Sequence, residues 1–534
     1  MLKKYSNLAA NACVALVGLF LAWYLFSMTK NQTFLHEEWT WLTDRSHLSF
    51  RALLDENFGH MSLIPVTVYL VIFHLFGLDS YIVFRLVLIF FNLATIFFAF
   101  GLIRRRHGLV IGGSLAVAMA LLGTGAQNFI WTLQIGPASG FLFFLISLRC
   151  LEKAESSEGS KWALITCLTL AISAASAGSG MGALFVLCML TLFGGKAGRL
   201  WWVGLLPTFF FIIWYFLKVD SSSLRPKFDL LPSYFWQLAS EAVAAFFGIG
   251  AIFGGLAFAG ICIYLLRQWR CQKVSLRTLS FPLYICFYWA TATYARAGIS
   301  PASSSRYAYI GVMALVLTIS ENVEPTLGKN PLRLQVTQLA IVVMAVLSIW
   351  GTHSSLIDYK EFHSSVSLQS AGRLVIAEAH RDDIDGEATL VSFMGTPAVS
   401  ASRYFQTIDY YKSSPVAPFR DLDKASEAVR YGADQMLFEF GFAAIDGPLA
   451  KNADCVRSAL NDQPLNVPPG SLLEIQVSRT TAVTMVRFSE LISWVPAFKK
   501  ILEPGSYVIS LDADDLGRSL RVKFDDPTAV MSCD

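Results

Sequence analysis

Long apolar runs recur from Ala9 to about Trp350, and no other feature of this 534-residue chain narrows its fold as far. Several are long enough to cross a hydrocarbon core of roughly 30 Å. Hydrophobic residues make up 54% of the chain and charged residues only 15%, which agrees with many membrane crossings. The N-terminal stretch, with Lys3 and Lys4 ahead of an apolar run of about 20 residues, is too long for a usual signal-peptide core and lacks an A-x-A site. It reads as an uncleaved anchor.

Charge divides the chain in two. Residues 1–352 carry 25 Lys and Arg against 14 Asp and Glu, a net of +11, while residues 353–534 carry 17 against 25, a net of −8. Apolar spans are expected near 9–28, 80–103, 109–124, 137–151, 162–177, 181–194, 200–217, 241–266, 278–294, 307–320 and 334–351, about eleven in all. Basic residues collect in cytoplasmic loops. With the N-terminus inside, the inner loops hold Arg104, Arg105 and Arg106, Lys153 and Lys161, Lys196 and Arg199, a cluster from Arg267 to Arg277, and Lys329 and Arg333. The turns at 125–136 and 178–180 hold no basic residue. Residues from 353 onward then lie outside, in the periplasm or beyond a plasma membrane.

Residues 62–77 are apolar enough to threaten this parity. The segment is short for a crossing, with Pro65 near its start and His74 near its end, so it is expected to lie along the interface. The outer loop is then residues 29–79, within a transmembrane domain of 1–352. Residues 353–386 read as a connecting helix or linker. From 387 to 534, short β-like stretches between Pro, Gly and Asp turns predict a small α+β or β-rich domain. DLDKASEAVRYGADQML reads there as a helix with an Asp cap. Most cysteines lie in or beside apolar helices, as small packing residues. Cys455 and Cys533 stand apart and would be free to pair in an exported domain. No Cys/His cluster suggests a metal site, and no polybasic block suggests nucleic acid.

Ionisable groups close to a bilayer are costly, which makes them candidates for function. The stretch FLHEEWTWL sets Glu37 and Glu38 between aromatic interface anchors, where an acid can deprotonate an acceptor arriving from water. The same stretch also reads as ordinary loop polarity anchored by Trp39 and Trp41. QNFIWTLQIGP supplies Gln127, Asn128, Trp131 and Gln134, suited to hydroxyl groups or simply to a polar turn. YARAGISPASSSRYAYI puts Arg296 and Arg306 at the ends of a short outer loop. A guanidinium there can grip a phosphate with two parallel donors, or snorkel to lipid headgroups. Lys218, Arg225 and Lys227 form another outer basic group, read as generic lipid contacts.

The order of these features resembles the GT-C class of polytopic glycosyltransferases, in particular the protein O-mannosyltransferase and aminoarabinose transferase families. The resemblance rests on Glu37 and Glu38 as the acidic pair, His60 and Pro65 as a His/Pro element, Phe76-Gly77, and Arg85-Leu86, and it covers roughly residues 8–106. The sequence departs from the pattern in having Glu37 where an Asp is usual, and in the diluted motif GHMSLIP. The resemblance implies transfer of a sugar, with inversion, from a polyprenyl-phosphate-linked donor to a cell-envelope acceptor: a polysaccharide, a lipid or a protein. It implies Glu37 as general base, Glu38 as an orienting acid, Arg306 with Arg296 or Arg85 on the donor phosphate, and His60 near the acid or the phosphate. No cofactor or metal is expected. A transporter or flippase of lipid-linked saccharides, or a non-catalytic assembly protein, remain the competing readings.

Overall fold

The computed structural model describes residues 2–35, 37–45, 50–57, 59–156, 159–219, 227–271, 276, 278–323, 331–391, 398–447, 458–459, 464–490, 498–514 and 516–533. Two compact units emerge: the first holds 1–30, 47–72 and 82–361, the second 31–46, 73–81 and 362–534. The first outer loop is therefore shared between them. Cys455 and the side chain of Cys533 lie outside what is described.

The first unit is helical. Six described helices are long and apolar enough to cross a membrane. A seventh arises if Leu109–Ala120 and Gly123–Ile130, bent by 51° at their break, count as one span. Leu63–Phe76, Ser160–Ala174 and Ser179–Phe193 are shorter apolar helices. In lipid, helices associate through close packing and interhelical hydrogen bonds. Both are present: Phe144 stacks on Tyr284 at 4.5 Å, Ser173 Oγ donates to the Gly140 carbonyl at 2.7 Å, and Asn92 Nδ2 donates to the Asn128 carbonyl at 2.9 Å.

The span expected at 241–266 is instead two helices, Leu231–Phe247 and Ala251–Cys271. Gly248 ends the first with a φ of 65°, a left-handed conformation that glycine adopts freely. A Cβ there would also meet the Leu347 carbonyl at 3.2 Å. Apolarity runs through such a break, so hydropathy does not register it. The last span and the connecting segment fuse into one helix, Pro331–Ala379, of 49 residues.

The second unit is α+β, as expected. Two antiparallel sheets form its C-terminal part. The five-stranded sheet runs in the order Ala443–Asp446, Gly505–Leu511, Leu472–Val477, Val530–Cys533, Ser458–Ala459. The four-stranded sheet runs Phe498–Leu502, Thr481–Val486, Leu520–Phe524, Leu465–Val467. Burial alternates along Thr481–Val486 and Gly505–Leu511, the period-2 signature of strands with one face inward. The expected Asp-capped helix begins later, at Glu427 after Ser426, and the DLDK residues form a separate turn within Phe419–Lys424. Asp434 of that helix is fully buried. It accepts hydrogen bonds from the backbone N–H groups of Arg487, Phe488 and Ser489 and from Ser489 Oγ, which locks helix to sheet.

The first-loop segments belong to this unit. Phe34 meets Trp39 and Tyr81 edge-on at 5.6 and 5.1 Å, Trp39 meets Tyr404 at 6.2 Å, and Asp44 pairs with Arg403 at 2.9 Å.

Candidate functional site

In the first unit, residues far apart in sequence form one cationic cluster. The helix Ser305–Asn322 starts beside the break that follows Leu109–Ala120. Gln127 fixes that start: its Oε1 accepts from the Arg306 backbone N–H and from Ser304 Oγ, both at 3.3 Å, and its own N–H donates to Ser305 Oγ at 3.1 Å. Arg306 thereby sits in the first turn, where the aligned peptide dipoles already favour an anion. Its guanidinium lies 5.0 Å from the Tyr307 ring centre and 6.0 Å from that of Trp131.

His60 joins Arg306 and Arg296. The segment that carries it is pinned where the Ile64 N–H donates to the Ala175 carbonyl at 3.0 Å. Gly178 makes room for the ring, since a Cβ there would stand 3.0 Å from His60 Cε1. Burial, with the charges of Arg296 and Arg306 adding to it, pushes the His60 imidazole down to about 3. His60 is thus neutral at physiological pH. Among the described residues, His60 Nδ1 and Arg296 Nε are buried polar atoms without a hydrogen-bond partner. Unmet buried groups are costly, and a ligand that met them would relieve that cost.

Between about pH 6.5 and 3 the unfolded chain binds a proton at this position and the folded chain does not, so stability falls as pH falls through that window. His60→Gln removes this contribution. Its thermal midpoint is expected to drop less than that of the wild type between pH 7 and pH 5; equal drops would place His60 in a solvated, ordinary environment.

Other candidates fall elsewhere. Arg85 is buried, donating through Nε to Thr29 Oγ1 and through Nη2 to the Phe26 carbonyl, both at 2.8 Å. Asn128 and Gln134 are buried as well, 3.4 Å apart, and help to hold the helix break. Lys218 pairs with Asp55 at 2.9 Å. Arg225 lies outside the described residues.

The acidic pair lies in the second unit, in the helix Glu37–Asp44, and its two members differ. Glu38 is fully buried, accepting from the Leu35 N–H at 2.8 Å and from the Tyr81 hydroxyl at 3.0 and 3.1 Å. That is the environment of an anchoring carboxylate. Glu37 is half-buried, and its Oε2 has no hydrogen-bond partner among the described residues. Among the described residues no group of three or more His, Cys, Asp or Glu could hold a metal ion. Tyr81 and Gly178 were not singled out from sequence, because neither residue type announces such a role without its neighbours.

No family model matches the chain. No curated protein matches it either. Among solved structures, it is similar to a crystal structure of ArnT from Cupriavidus metallidurans bound to undecaprenyl phosphate, at 13% identity and a TM-score of 0.43, over 78% of this chain and 87% of that one.

Proposed function

We propose that this chain is a membrane glycosyltransferase that moves a sugar from a polyprenyl-phosphate-linked donor to a cell-envelope acceptor on the outer face of the membrane. One observation carries the donor side of this reading. Two guanidiniums and a neutral imidazole meet at a helix N-terminus, with His60 Nδ1 and Arg296 Nε left for a ligand. Such a cluster suits a phosphate, whose oxygens accept several charge-assisted hydrogen bonds. The acceptor side is supported by the GT-C resemblance and by the unpartnered Oε2 of Glu37.

In the proposed reaction, the Glu37 carboxylate takes the proton of the acceptor hydroxyl. The acceptor oxygen bonds to the anomeric carbon as the bond to the phosphate oxygen breaks, which inverts that centre. The electron pair leaves with polyprenyl phosphate, whose charge Arg306 and Arg296 stabilise. His60, being neutral, donates or accepts a hydrogen bond without competing for the proton. Glu38 holds its helix in place.

Labelled polyprenyl phosphate is expected to bind the purified protein saturably, and Arg296→Ala to weaken that binding at least tenfold, a loss in the range of a charge-assisted hydrogen bond. Unchanged binding would remove the cluster from the donor site.

The outer face is supported within the first unit itself. Arg306 opens the helix Ser305–Asn322, while at its other end Arg106 pairs with Glu321 at 3.2 Å and bonds the Val323 carbonyl. Eighteen residues rise roughly 27 Å, close to the thickness of the hydrocarbon core. Cluster and arginine run therefore lie at opposite ends of one helix, in agreement with the positive-inside rule if the cluster faces out. An alkaline phosphatase fusion after Arg106 is expected to be inactive, because that enzyme matures only outside the cytoplasm; an active fusion would reverse the orientation.

A further inference from the structure

We infer that the second unit contains a binding cavity for a small uncharged amphiphile, with Gln32 as its polar anchor. The cavity is about 390 Å³ in volume, within the range of about 300–1,000 Å³ usual for small-molecule sites. Leu368 and Val375 of the long helix form one wall. Val416, Leu422 and Val429 form much of the rest. Its lining includes no ionisable side chain.

Gln32 gives this apolar chamber a polar point. The residue lines the cavity and is only 7% exposed. Both its Oε1 and its Nε2 are buried, and neither has a hydrogen-bond partner among the described residues. Asp434, buried in the same unit, is by contrast met by four donors. A buried amide with neither donor nor acceptor satisfied is expensive, and a ligand that answers both would remove the cost.

The chemistry of the occupant follows from these walls. A charged molecule would lose much of its hydration with no countercharge on the walls to replace it; the polar side chains there are Asn31, Gln32, Thr33 and Ser426. A carboxamide offers a donor and an acceptor side by side, so its complement is a primary amide or a hydroxyl on an alkyl or isoprenoid body. This excludes polyprenyl phosphate, which is charged, and makes the cavity separate from the donor cluster. The inference does not rest on the proposed transferase activity.

The test uses the full chain in lipid nanodiscs with radiolabelled decanamide and, for comparison, its N,N-dimethyl derivative, which cannot donate. Counts from empty discs correct for partitioning into lipid. One saturable site is expected, with decanamide bound about tenfold more tightly than the dimethyl compound. Gln32→Leu should abolish that preference while leaving the thermal midpoint equal or higher, because it removes an unmet amide. Ala417→Trp, at an exposed position on the cavity wall, should block both compounds without unfolding the protein. Absence of saturable binding would overturn the inference. So would a Gln32→Leu variant that is less stable yet keeps the preference, since Gln32 would then be a structural residue.

Discussion

Glu37→Gln is expected to lower sugar transfer by about 10²–10⁴-fold, the usual contribution of a general base, while the protein folds and reaches the membrane normally. Glutamine keeps the size and one hydrogen-bond acceptor of the side chain, but it cannot take a proton. The neighbouring substitution should behave differently. Glu38 is fully buried and accepts from the Leu35 N–H and from the Tyr81 hydroxyl, whose single proton is shared between its two oxygens, so Glu38→Gln should lower stability before it touches chemistry. Breaking such a buried network costs about 1–3 kcal/mol for each group left unmet. The pair therefore separates by readout: loss of turnover at full stability for Glu37, loss of stability for Glu38. Normal transfer by Glu37→Gln would remove the base from the proposal.

The second large effect is expected at Arg306. Its backbone N–H is held by Gln127 and its guanidinium lies over two aromatic rings, so its placement is set by the surrounding fold. Charge builds on the phosphate oxygens as the donor bond breaks, and fixed donors aimed there are worth about 10²–10³-fold in rate. Arg306→Ala should lose that much in kcat/KM for the donor and leave the acceptor KM unchanged. Arg306→Lys should recover only part, because a point charge replaces a planar two-pronged donor. If both variants match the wild type, or if the acceptor KM alone rises, Arg306 does not hold the donor phosphate.

The helices were legible wherever apolarity was continuous and flanked by charge. Residues 82–107 show this well, with an apolar run that ends in three arginines. What hydropathy missed were interruptions. Gly248 and Gly250 break the stretch expected as one span, because a left-handed glycine leaves the neighbouring apolar residues unchanged. The opposite happens after residue 350, where polar Ser, His and Asp residues continue the same helix as far as Ala379.

The candidate site was legible residue by residue but not as an arrangement. Arg296, Arg306 and His60 stood out singly, as charge beside a membrane. Their meeting depends on contacts made across more than one hundred residues, such as Ile64 to Ala175 and Gln127 to Arg306. Glu37 and Glu38 are identical letters side by side. Successive helical residues point about 100° apart, so one turns to Tyr81 and the other away, and only the fold shows which. Gln127, Asn128 and Gln134 read as suited to hydroxyl groups or to a polar turn, and only the fold shows the hydrogen bonds they make at a helix start and a helix break.

Proteoliposomes carrying the purified protein and a polyprenyl-phosphate donor with a radiolabelled sugar are supplied with envelope extract as the source of acceptor, and the label is followed together with free polyprenyl phosphate. The proposal predicts that label leaves the lipid for the acceptor as polyprenyl phosphate appears in equal amount, and that neither change occurs with Glu37→Gln or Arg306→Ala. Donor that crosses the bilayer intact, or transfer that survives in both variants, would contradict it.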